Sequence, residues 1–164
     1  MMIEPFRHNS WATLRLLDFC RDLDPSLLDA SATGTYGSIK DMLAHLIGSE
    51  EELAGMVEGI PPSGPPPRFA SLDDLHERAR WLSERWERAL EGEVHPERLV
   101  DRGQQRLVRI GTVLAQAVHQ GNHLRSQVCT VLTTVDVRPP ALDGWAYGAW
   151  LNERPERRLR REPV

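Results

Sequence analysis

Lysine is almost absent from this chain: Lys40 is the only one, so arginine carries nearly all of the positive charge. That bias reads as genomic composition rather than as arginine-specific recognition. Positive charge is not in excess either, because 20 Lys and Arg stand against 24 Asp and Glu, a formal net charge of -4. No field is left to gather phosphates, which excludes generic nucleic-acid binding. Only Cys20 and Cys129 occur, far apart and both within helical patterns. They read as free, buried thiols in a reducing compartment rather than as a disulfide framework. No apolar run approaches the roughly 18 residues of a membrane span. Met1 to Ser10 lack the basic stretch and apolar run of a secretory leader, so a soluble, cytoplasmic protein without a membrane partner is expected. There is no internal repeat, no glycine-rich phosphate loop, and no serine or cysteine nucleophile beside a plausible base.

What is present is helical periodicity. A chain of 164 residues that is 40% hydrophobic can bury one core but not two. The first helix is expected from about Pro5 to Leu23, ended by Asp24-Pro25. The second opens at Ser38, with Asp41 completing a capping pair, and carries an apolar stripe through Met42, Leu46, Leu53 and Val57. Gly59, Ile60 and the prolines from Pro61 to Pro67 cannot continue it and form a connector; polyproline recognition is the weaker reading. A third helix starts at Ser71 with Asp74 and stops at Gly92. The fourth spans about Thr112 to Val135, with Leu114, Ala117, Gly121, Leu124, Val128 and Val131 on its stripe. Arg106 to Ile110 alternates like a short strand, and Leu142 to Leu151 reads as a short C-terminal helix. These elements predict an all-α, four-helix-bundle domain over residues 1–151, followed by a flexible charged tail, 152–164, too poor in apolar residues to order itself.

Chemistry concentrates on three histidines. His119 and His123 lie four residues apart on one face of the fourth helix, and His45 lies on the second. Two imidazoles at that spacing chelate a divalent ion, and a third from a neighbouring helix would leave positions open for water or substrate. Chance placement or surface hydrogen bonding gives the same spacing.

Several segments, in order, resemble the DinB/YfiT-like family across nearly the whole chain. They are His8-Asn9-Ser10-Trp11; Ser38-Ile39 through Leu43-Ala44-His45-Leu46-Ile47, with Glu50; Gly121-Asn122 followed by Arg125-Ser126-Gln127; and Pro139-Pro140 through Tyr147. The resemblance implies a bundle in up-down-down-up order, a homodimer, and kinship with metal-dependent enzymes (zinc, nickel or manganese) that use low-molecular-weight thiols. It puts the first metal ligand at His45 and the other two at Gln120 and Leu124. Here the chain departs from the pattern, for His119 and His123 each come one residue early. One residue turns a helical side chain by roughly 100°. The stripe then predicts that the two histidines face outward and that Gln120 and Leu124 face inward, unless a π-bulge near His123 or a dimer partner intervenes.

Glu50 falls inside the second helix's apolar stripe, where it needs a partner or a shifted pKa, either as a general base or as half of a structural pair. Arg125 and Gln127 would meet a thiol cofactor's carboxylates, or Arg125 would pair with Glu50. Five tryptophans read as core or dimer contacts. Two functions are consistent with these residues: a divalent-metal-dependent, thiol-transferase-like enzyme acting on a small molecule, or a metal-free dimeric binding or stress-associated protein.

Overall fold

A computed structural model of the chain describes residues 3–60 and 71–153. The described residues are mostly helical, with five α-helices and one two-stranded hairpin. The proline-rich connector at 61–70 and the tail from 154 onward lie outside them.

Helix α1 spans Ile3–Arg21; Pro5 sits in its first turn, where a missing amide donor costs no helical bond. After it Asp24 caps a 3₁₀ turn, Pro25–Asp29, by accepting from the Ser26 amide. Helix α2 spans Ile39–Glu58 and α3 spans Leu72–Glu91. Both expected capping boxes are formed, Ser38 with Asp41 and Ser71 with Asp74, each satisfying two otherwise orphaned amides. Gly59 ends α2 in the left-handed region at φ 76°, a conformation that costs a Cβ-bearing residue energy.

The expected lone strand is a hairpin. Strand β1, Leu99–Asp101, pairs antiparallel with β2, Leu107–Arg109, with Val100 opposite Val108. Three residues cannot announce a strand by alternation, so β1 was invisible to the pattern. Helix α4 spans Ile110–Thr134, starting earlier than expected. Its N-cap, Arg109, makes no side-chain cap bond. Instead the Ile110 amide donates to the Arg98 carbonyl and the Gly111 amide to the Pro96 carbonyl, each at 2.9 Å. A helix start satisfied by a distant backbone leaves no local sequence signal. Helix α5, Gly144–Glu153, is capped by Asp143, whose Oδ1 accepts from the Trp145 and Ala146 amides. Asn152 and Glu153, read from sequence as tail, belong to this helix.

Cross-helix pairs set the directions. Arg7 meets Glu87, Asp18 meets His76 and Arg21 meets Asp73, so α1 runs antiparallel to α3. Arg78 meets Glu51 and Arg85 meets Glu58, so α3 runs parallel to α2. Asn9 abuts Gly121 and Thr13 meets Arg125, so α1 runs parallel to α4. Helix α4 also packs along α2. The core enclosed by these four helices includes Leu16, Leu17, Met42, Leu43, Leu82 and Leu132, each nearly inaccessible to solvent. Burying each such side chain contributes about 1.5–3 kcal/mol. No helix among the described residues is long and apolar enough to cross a membrane.

Candidate functional site

Helix α4 is an unbroken α-helix through His123, with no π-bulge to shift its register. His119 and His123 are accordingly exposed, Leu124 is buried at 3%, and Gln120 is half-buried and accepts from Gln116. The two imidazoles lie parallel, with centroids 6.4 Å apart. His45 is half-buried and stacks on Tyr36, with centroids 4.3 Å apart and planes inclined by 18°. The Tyr36 amide donates to Gln127 Oε1 at 2.8 Å, which turns the Gln127 Nε2 amino group toward His123 Nε2 at 2.7 Å. With the Gln127 amino group as donor, His123 Nε2 is the acceptor in that contact. Gln127 thus ties the loop before α2 to α4.

These placements can be compared with what a metal centre requires. A three-histidine site needs its nitrogens about 2 Å from one point. Among the described residues, no three His, Cys, Asp or Glu side chains are grouped to hold an ion. Leu124, at the position the family pattern gives a ligand, offers no donor atom. The residues present do not fit the family's metal centre.

The other candidates do converge, inside the protein. Glu50 is 3% exposed and Arg125 is 3% exposed, yet they form no direct ion pair. Asn9, on α1, stands between them. Its Nδ2 donates to Glu50 Oε1 at 2.7 Å, and its backbone carbonyl accepts from Arg125 Nη1 at 3.3 Å. Arg125 also donates to Thr13 Oγ1 at 2.9 Å and to Asn122 Oδ1 at 2.8 Å. Two buried atoms beside the cluster lack a well-formed hydrogen bond, Asn9 Oδ1 and Trp86 Nε1. The Trp86 indole still lies close enough to favour an ionised Glu50.

Burial dominates the titration of both charged groups. It pushes the Glu50 carboxyl up, against the opposing influence of Arg125, Asn9 and Trp86. It pushes Arg125 down, against the attraction of Glu50. Both shifts favour the neutral forms, as when desolvation outweighs attraction between buried charges. The cluster is a structural tie joining α1, α2 and α4. Sequence reasoning found Glu50 and Arg125 and read Trp86 only as a core or dimer contact, and it gave no role to the side chains of Asn9 or Thr13. The signal available was the position of Asn9 one turn from Phe6 and two turns from Leu16, on a face of α1 that those apolar residues bury.

No protein-family model matches the chain, and no curated protein does. Function therefore rests on the residues themselves.

Proposed function

We propose that this chain is a DinB/YfiT-like four-helix-bundle protein in which the family's metal centre is not assembled. It acts as a homodimeric cytoplasmic binding or stress-associated protein rather than as a metal-dependent thiol transferase. The up-down-down-up order is supported by the antiparallel run of α1 with α3 and the parallel runs of α3 with α2 and of α1 with α4. The observation that carries the loss of the metal centre is the register of α4. A regular helix buries Leu124 where the resemblance calls for a ligand and leaves His123 outside, bonded to Gln127. Dimerisation is supported by Trp145, an indole 90% exposed that a second copy would cover.

The test is metal analysis of protein purified without a histidine tag, together with titration by zinc and by nickel, on the wild type and on His45→Ala. Substoichiometric metal in both proteins, with no saturable binding that depends on His45, is expected. A stoichiometric ion lost in His45→Ala would overturn the proposal and restore the enzyme reading. Sedimentation at micromolar concentration tests the dimer, and a monomer mass would refute it.

A further inference from the structure

A groove of about 580 Å³ runs between α1 and α3 and beneath α5. None of His45, Glu50, His119, His123 or Arg125 lines it, so the groove is independent of the fate of the metal centre. Two polar side-chain contacts bracket the groove. Arg7 is held by Glu87 at one end, and His76 lies against Asp18 at the other, each at 3.0 Å. Between them α1 presents Arg15 and α3 presents Arg80, both exposed, both lining the groove and level with one another on the antiparallel pair. Neither has a carboxylate partner among the described residues. Two guanidinium groups without an ion pair of their own are therefore brought to one stretch of wall, while the two carboxylates that line the groove, Asp18 and Glu87, are engaged by His76 and by Arg7. Like charges gathered in this way repel unless an anion comes between them.

The wall beside them is aromatic. Arg15 lies over the Trp11 ring, 5.5 Å from its centroid, and Trp11 packs against Tyr147 and Trp150 at centroid distances of 5.3 and 6.0 Å. A guanidinium stacked on an indole is pre-oriented, and its in-plane N–H fork stays available for a planar, bidentate acceptor. We infer that this groove is a binding site for a small, flat aromatic carboxylate, with the carboxylate between Arg15 and Arg80 and the ring against Leu14 and the edge that the otherwise buried Trp11 leaves open to the groove. A carboxylate matches the fork. The aromatic body matches the indoles, and a volume of this size suits one or two fused rings.

Calorimetric titration of the full chain with 2-naphthoate, its neutral amide 2-naphthamide and inorganic phosphate tests the site. The expected result is saturable binding of one 2-naphthoate per chain, weakened by added salt, with neither 2-naphthamide nor phosphate binding comparably. Arg15→Gln and Arg80→Gln should each weaken 2-naphthoate binding about tenfold, or about 1.4 kcal/mol. Arg109→Gln, which removes the same charge on β2, should leave it unchanged. Equal binding of 2-naphthamide, phosphate binding as tight as 2-naphthoate, no binding of 2-naphthoate, or undiminished binding by both arginine variants would each overturn the assignment. The comparison among the three ligands uses the wild type alone, so it decides even if a variant folds poorly.

Discussion

Gly121 lies against Asn9 so closely that a Cβ built on it would overlap the Asn9 side-chain oxygen. The asparagine cannot retreat, because it is 1% exposed and its amino group is bonded to Glu50. A methyl here would force α1 and α4 apart or break the Asn9–Glu50 bond. Overpacking costs typically about 1–3 kcal/mol, while alanine gains about 1 kcal/mol over glycine within a helix. Gly121→Ala is expected to lower stability by up to about 2 kcal/mol despite its better helix propensity. Urea unfolding measures it, and an unchanged or raised midpoint would show that the cluster is not close-packed.

Glu50 gives the protein a pH dependence of definite sign. Its folded-state pKa is raised, chiefly by burial, so the folded chain keeps a proton that the unfolded chain releases as pH climbs through the ordinary carboxylate range. The stability linked to that proton is complete below the unfolded value and is lost as pH rises through the folded one. Glu50→Gln carries no such loss. The stability of the wild type relative to Glu50→Gln should therefore fall from acid toward neutral pH, by up to about 1.4 kcal/mol per pH unit within the window. Paired urea titrations across that range measure the difference; a gap that stays flat or widens in favour of the wild type would contradict the sign.

Gly121 and Glu50 also mark how far the sequence could be read. Helix boundaries backed by a local signal were legible, because Ser38 with Asp41 and Ser71 with Asp74 satisfy amides within one turn. The start of α4 and the first strand of the hairpin were not, since their partners are backbone atoms contributed by other segments. Glu50 stood out as a carboxylate on an apolar stripe, and Arg125 as a charge within a helix facing the core. Asn9 did not stand out, because nothing along α1 says that its amide spans the space between those two. The outward register of His119 and His123 followed from periodicity alone, since a regular helix leaves no freedom in where a residue points.

The thiols should behave as structural groups. Burial pushes Cys20 up to about 12, and also raises Cys129, which lies near Arg125 and is half-buried. The reactive species is the thiolate, so at neutral pH neither sulfur presents an appreciable nucleophile until the helices open. A disulfide reagent should label native protein slowly, at Cys129 before Cys20, and label both at once in denaturant. Rapid labelling of Cys20 under native conditions would mean that α1 opens locally far more readily than its packing implies.

The register of α4 can be tested without any metal. Leu124 is 3% exposed, while His119 and His123 stand on the outer face of the same helix. Truncating a buried leucine removes its transfer free energy and leaves a cavity, so Leu124→Ala should cost about 2–5 kcal/mol. The His119→Ala and His123→Ala changes touch exposed rings whose only hydrogen bond among the described residues is the surface contact with Gln127. Each should stay within about 0.5 kcal/mol of the wild type, and the stability of all four proteins should not respond to a chelator. If the two histidines held a resident ion, their loss would remove the stabilisation that a ligand confers on the folded state alone. Histidine variants several kcal/mol less stable than the wild type, with the wild type falling to their level on chelation, would therefore reverse the assignment of inner and outer faces.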